Sequence, residues 1–257
     1  MTKQTAIPIP IPQSFEGRVA LITGAASGIG HTVAHYFADR GARVVGVDLD
    51  PRIVSLMAEL PGGAHHGIAT DLTVEGAASE VVEETLRVGG GLDILVNSAG
   101  IALLDAAVDV PMDRWQATLD VNLSASFFLA QAAGRVMIDA GYGRIINLAS
   151  QAALIGLDQH AAYAASKGAI VALTRVLSLE WARHGVTVNA ISPTVVETPL
   201  GKKAWAGEKG ERAREAIPVG RFAKPEEIAA LIGYLAGEDA AMVTGSNVVI
   251  DGGFTSV

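Results

Sequence analysis

Tyr163 and Lys167 stand four residues apart in the run ASQAALIGLDQHAAYAASKGA (149–169), which also holds Ser150, Gln151, Asp158, His160 and Ser166. On a helix, positions four apart share a face, so the phenol and the ammonium can meet. A free tyrosine titrates near ~10 and is a poor base at neutral pH. A neighbouring cation stabilises the phenolate and brings the group toward working pH, which suits proton transfer at a hydroxyl or carbonyl oxygen. Ser150, at the end of a β-branched run, can hydrogen-bond the same oxygen. A Ser150–His160–Asp158 hydrolase triad is the rival. Ser150 lacks the Gly-x-Ser-x-Gly elbow and Asp158 is only two residues from His160, so the triad is set aside. Asp158 and Ser166 read as local structure.

A second group lies far upstream. TGAASGIG (23–30) follows an apolar run and opens a helical pattern. Gly24 allows a tight turn, Gly28 close backbone approach, and Gly30 helix-on-strand packing, with Ser27 and Ile29 between them. The helix N-terminus then offers N–H groups and a positive dipole end to a pyrophosphate. Asp48 ends the next run, RVVGVD, where a carboxylate can accept hydrogen bonds from both ribose hydroxyls of NAD. Its charge repels the extra phosphate of NADP, and Leu49-Asp50 supply no cation to hold one, so NAD is expected. Asp71 and Leu72 are placed at the end of the third strand, where Asp71 can contact adenine. Asn97, Ala99 and Gly100, from NSAG, end the fourth and leave room for ribose.

The elements that must position these groups follow from apolar periodicity. Seven β-branched runs are predicted as strands: 18–23, 43–48, 66–71, 93–98, 144–150, 186–192 and 247–251. Most are nearly continuous in apolar character, as strands buried on both faces are. Helical spacing fills the gaps at Val33–Arg40, Ala77–Val88, Trp115–Ala140 and Tyr163–His184. Gly41, Gly91, Gly143 and Gly185 are expected near helix ends. The alternation predicts an α/β fold: one domain (16–257) with a doubly wound, seven-stranded parallel sheet flanked by helices. Residues 1–15, with their Ile-Pro pairs, read as an extended arm. The charged region near 195–220 reads as a lid over the carboxyl edge of the sheet.

Composition excludes other classes. A net charge of −8 disfavours nonspecific binding to nucleic acid or an anionic membrane. With no cysteine there are no disulfides and no thiolate chemistry, and a reducing compartment is expected. No charge-free run reaches membrane-span length, and the N-terminus lacks a signal peptide's apolar stretch. No metal is expected, because His65 and His66 are adjacent in a strand and point to opposite faces. Asn122-Leu123-Ser124 fits a glycosylation pattern that reads as incidental. The basic residues at 202–214 alternate with Glu208, Glu211 and Glu215 as on a solvated helix face.

Taken together, TGAASGIG, NSAG, NLAS and YAASK resemble the short-chain dehydrogenase/reductase family over nearly the whole chain after residue 15. The resemblance implies a Rossmann-type fold and hydride transfer between a secondary alcohol and NAD, catalysed by Asn122, Ser150, Tyr163 and Lys167. Tyr163 and Lys167 would also touch the cofactor. Asn122 would hold Lys167 through a water in a proton relay, and Pro193, Val196 and Thr198 would flank the nicotinamide. Two departures stand out: Ser98 replaces the second Asn of Asn-Asn-Ala-Gly, and Thr194 replaces the Gly of Pro-Gly. SPTVVETPLGKKAW resembles the L-xylulose reductase and polyol dehydrogenase branch. There Gln151 and His160 would contact sugar hydroxyls beside Ser150, Tyr163 and Thr194, with Trp205 as a lid contact. The substrate implied is a short sugar alcohol, a D-threitol-type tetritol, and its ketose. A cytoplasmic homotetramer pairing helices near 115–140 and 163–184 is also implied. The alternatives are a 3-oxoacyl-thioester reductase, which would prefer NADPH, and a dinucleotide-sensing protein with little turnover.

Overall fold

The structure is a computed structural model that describes residues 13–198, 205 and 207–256. Seven strands are present: β1 (Val19–Thr23), β2 (Arg43–Asp48), β3 (His66–Ala69), β4 (Ile94–Asn97), β5 (Gly143–Leu148), β6 (Val186–Pro193) and β7 (Asn247–Ile250). They pair in the order β3-β2-β1-β4-β5-β6-β7, every pair parallel. The expected Rossmann-type sheet is thus observed. Alternate side chains of each strand serve opposite faces. Ala20 and Ile22 face one core with Val44, Ile94 and Val96, while Leu21 faces another with Val45, Val47 and Leu95.

Eight α-helices are described. On one side α1 (Gly28–Ala38), α2 (Ile53–Ala58) and α8 (Pro225–Ala236) bury Val33, Phe37, Met57, Ile228 and Ile232. On the other, α3 (Ala77–Gly89), α5 (Ala125–Ala140) and α6 (Ala161–Trp181) bury Val81, Val82, Leu129, Met137 and Leu177. The remaining two are α4 (Met112–Leu119) and α7 (Glu208–Glu215). Each large side chain so buried contributes about 1.5–3 kcal/mol relative to exposure.

Several expectations are corrected. The predicted helix 115–140 begins at Met112 and contains a π-helical turn at Asp120–Ser124 between α4 and α5. The joined run Met112–Ala140 is long and apolar enough to cross a membrane by length and composition, although Asp113, Arg114, Asp120, Arg135 and Asp139 interrupt it. Its apolar face is accounted for by the sheet, since Leu129, Ala133 and Met137 are fully buried in the core. The left-handed helix ends fall on Gly90 and Gly141 rather than Gly91 and Gly143; Gly143 lies inside β5. Phe15, assigned to the arm, packs edge-on against Phe37 in the core. Residues 1–12, 199–204 and 206, which cover most of the arm and part of the lid, lie outside the described residues.

The pairing order fixes where a ligand can sit. Connections after β1 and β4 leave in opposite directions from adjacent strands, opening a crevice at their carboxyl ends. Thr23, Asp48, Asn97, Leu148 and Pro193 all end strands at that edge.

Candidate active site

The loop after β1 crosses the crevice as the sequence predicts. Gly24 has φ +68° and backs onto the β4 loop, so a Cβ there would stand 3.0 Å from Ala99. A Cβ on Gly30 would meet the Gly24 carbonyl oxygen at 2.3 Å, which is why helix α1 can start so close to the strand. Ser27, the residue before α1, makes no side-chain cap bond, so its hydroxyl does not occupy the first-turn N–H groups. These features fit a dinucleotide pyrophosphate. Thr198 closes over the loop, its methyl 3.3 Å from where a Gly28 Cβ would lie.

Asp48 has two duties. Its Oδ2 accepts from Ala26 N at 3.0 Å and its Oδ1 from Asp50 N at 3.0 Å. A carboxylate has about four acceptor sites, so capacity remains for a ribose diol. Asp71 lies beyond β3, which ends at Ala69, and not at a strand end as expected. Its Oδ1 accepts from Thr73 N and Oγ1, which hold the carboxyl below its usual range, and Leu72 packs half-buried beside it. Asn97 departs further. Its amide donates inward to Ser126 O and Asn147 Oδ1, tying β4 to α5 and β5, so the side chain is structural. Thr23, which sequence reasoning passed over, accepts from Ser98 N and Ala99 N and aligns the NSAG loop with the glycine loop.

The reactive group assembles from three elements. Ser150 follows β5 and caps a short 3-10 turn, accepting from Ala152 N at 3.2 Å. Tyr163 and Lys167 lie on α6, and the Ser150 side chain is near enough to the Tyr163 phenol to favour its ionised form. Lys167 is buried and donates to Leu148 O at 2.7 Å, with its Nζ 5.7 Å from the Tyr163 ring centre. Burial lowers the lysine to about 8. Burial pushes the Tyr163 phenol up, and the nearby Ser150 side chain opposes the push. In the protein alone the phenol therefore shifts away from working pH; the lowering expected from the sequence draws on the nicotinamide's positive charge as well as on Lys167.

Asn122 sits in the π-helical turn, which turns its side chain under the NSAG loop. Its Oδ1 accepts from Ile101 N at 2.8 Å, and its Nδ2 donates to Ile101 O at 2.9 Å and Ser166 Oγ at 3.1 Å. A Cβ on Gly100 would stand 3.2 Å from Asn122 Oδ1 and 3.5 Å from Lys167 Nζ, so both groups flank that glycine. The amide is a clamp on the β4 loop. Ser166, read as local structure, joins this clamp and also donates to Tyr163 O.

Around this group lie the other candidates. The His160 ring stands edge-on to Tyr163, centres 5.9 Å apart. Gln151 and Thr194 are buried, and their Oε1 and Oγ1 have no hydrogen-bond partner among the described residues. Pro193 ends β6, and Val196 pairs with Ala223 across the base of the 195–220 segment. Trp205 is half-buried, its ring 6.4 Å from that of Phe222. The His65-His66 pair is otherwise engaged. His65 accepts from Val44 N at Nδ1 and reaches Pro61 O through Nε2, while His66 pairs with Glu84.

A glycine-rich loop opening α1, an acid at the end of β2 and a Ser–Tyr–Lys group on one sheet edge fit a nicotinamide-dependent oxidoreductase acting on CH–OH donors. A family model described as enoyl-(acyl carrier protein) reductase matches residues 24–255, and the chain belongs to the short-chain dehydrogenase/reductase family. It is 48% identical to a D-threitol dehydrogenase of Mycolicibacterium smegmatis, with 99% of each chain covered. It is also 48% identical to an NAD-dependent glycerol dehydrogenase of Listeria innocua, over 93% of this chain and 94% of that one. A solved structure from Beutenbergia cavernae, provisionally assigned as an NAD(P)-dependent gluconate 5-dehydrogenase and holding NADP at low occupancy, superposes with a TM-score of 0.91. It shares 38% identity and covers 96% of this chain and 100% of its own.

Proposed function

We propose that this chain interconverts a short sugar alcohol and its ketose, with D-threitol as the reference substrate and NAD as cofactor. The observation that carries the reading is the convergence of Ser150, Tyr163 and Lys167 on the sheet edge where Asp48 ends β2. The two relatives at 48% identity, named for D-threitol and for glycerol with NAD, support the substrate class and the cofactor.

The glycine loop and Asp48 would hold NAD, which would supply the acceptor for the carbinol hydride and a positive charge on the Tyr163 side of the crevice. Ser150 orients the substrate oxygen, and Tyr163 takes the hydroxyl proton as the C–O bond becomes a carbonyl. In reduction Tyr163 returns that proton. Lys167 adds positive charge behind the phenol and, held by Leu148 O, points toward the ribose side of Gly100. Asn122 keeps the β4 loop, and with it Gly100, in place.

Gln151 Oε1 and Thr194 Oγ1 are buried polar atoms in need of partners, and a substrate with several hydroxyls supplies them. His160 and Trp205 complete the substrate contacts, with residues 195–220 as the lid. Gly24, Ser27, Gly28, Ile29 and Gly30 hold the pyrophosphate; Asp71, Leu72, Ala99 and Gly100 line the adenosine side; Pro193, Val196 and Thr198 flank the nicotinamide. The reading includes a cytoplasmic homotetramer. Phe128, Val176 and Leu179 on α5 and α6, 53%, 50% and 81% exposed, offer the apolar face it needs. Sedimentation would read the assembly directly. NADH formation with tetritols, pentitols and hexitols tests the activity; turnover restricted to 3-oxoacyl thioesters with NADPH would replace this reading.

A further inference from the structure

The segment 101–111 between β4 and α4 has no part in the reaction described above, yet it touches the start of α6. Asp105 N donates to Gln159 O at 3.2 Å, and Asp105 pairs with His160 as an isolated parallel bridge. Gln159 is held at φ +64°, a left-handed conformation that disfavours side chains other than glycine, so its neighbours must stabilise it. The His160 carbonyl accepts from Ala164 N at 2.7 Å in the first turn of α6, and its ring stands against Tyr163. Asp105 thus holds the backbone of the turn that carries His160, while inside the turn the His160 Nδ1 meets Asp158 O at 2.5 Å.

Arg114, on α4, fixes it. Its Nε lies 3.0 Å from Asp105 Oδ2, with the carboxylate mostly buried. The contact is an ion pair without hydrogen-bond geometry, and neither atom has a hydrogen-bond partner among the described residues, so loss of one leaves the other buried without its counter-charge. Asp105 thus links α4 to the Gln159–His160 turn.

We propose that the Asp105–Arg114 ion pair is a specificity device that positions His160, and so tunes affinity for polyhydroxylated substrates without touching them. Both are positioning residues. The inference rests on the polyol reading for its kinetic consequence, but its structural half stands apart from turnover.

The kinetic test compares wild type with Asp105→Asn, Arg114→Met, the double variant and Asp105→Glu, using D-threitol and NAD. Each single variant should raise KM for D-threitol about tenfold while kcat and the KM for NAD stay within about twofold, an effect of the size seen for coupled neighbours. The double variant should be no worse than either single one, and Asp105→Glu should recover most of the loss. An unchanged KM in both single variants, or a joint loss of kcat and NAD affinity, overturns the proposal. Amide hydrogen exchange on the protein alone decides the structural half. Asp105 and Ala164 should lose protection in Asp105→Asn and Arg114→Met while β4 and α5 keep theirs; unchanged protection defeats the brace. If wild type oxidises no polyol, the substrate reading fails, and the exchange result still accepts or rejects the brace.

Discussion

Lys167 donates to the carbonyl oxygen of Leu148 at 2.7 Å, so the ammonium behind Tyr163 is anchored to the last residue of β5. Burial with this one described hydrogen bond leaves the charge poorly solvated, and the lysine falls from its ordinary 10.5 to about 8.

That depression makes stability rise with pH. The folded lysine releases its proton near about 8 while the unfolded one keeps it to 10.5, so between those values the unfolded state binds more protons and is disfavoured as pH rises. Tyr163 acts in the opposite sense but only above its ordinary 10.0, because its folded value is raised. Urea unfolding of the cofactor-free protein at pH 8 and pH 9.5 should show wild type gaining on Lys167→Met across that interval. Parallel changes in the two proteins would remove the depressed lysine.

Tyr163→Phe removes the proton carrier while keeping the ring beside His160. Turnover should fall by about 10²–10⁴, the usual worth of a positioned acid or base. NAD affinity, read by quenching of tryptophan fluorescence, should stay within about twofold of wild type, since the loop and Asp48 are untouched. Retained turnover would contradict the assigned chemistry.

Asp48→Asn keeps the shape but removes the charge that faces the second ribose hydroxyl. KM for NAD should rise, and the preference for NAD over NADP should shrink by about tenfold or more, because like-charge repulsion against the extra phosphate is gone. Kinetics with both cofactors measure it. The variant should also lose about 1 kcal/mol of stability, because an amide cannot serve both Ala26 N and Asp50 N as acceptor.

Gly30→Ala would put a methyl 2.3 Å from the Gly24 carbonyl oxygen. Overpacking against backbone should cost about 1–3 kcal/mol or more and push the loop off α1. A lower thermal midpoint together with weakened NAD binding is expected. Gly91→Ala, with nothing within 4 Å of its Cβ, is the control and should leave both unchanged.

What the sequence carried was mostly local. The strands were legible to within about two residues because most are nearly continuous apolar runs, the pattern of a sheet buried on both faces. The glycine loop and the Tyr163–Lys167 pair were legible because their spacing is itself the geometry. The inward turn of Asn97, the clamp of Asn122 on Ile101 and the partnership of Asp105 with Arg114 were not. Each joins residues from separate elements, and no periodicity records which partner an amide or a carboxylate will meet. The π-helical turn was hidden for a related reason: one unbroken apolar pattern spans α4 and α5, and only the side chain of Asn122 turned under the NSAG loop explains the bulge. The upward push on Tyr163 follows from burial, which a four-residue spacing cannot report.

The most direct test is kcat/KM for D-threitol with NAD, set beside the same alcohol with NADP and a 3-oxoacyl thioester with NADPH. The account predicts NAD-dependent oxidation of D-threitol as the fastest of the three, cut by about 10²–10⁴ in Tyr163→Phe. Thioester reduction with NADPH as the fastest reaction, or D-threitol oxidation surviving that substitution, would contradict it.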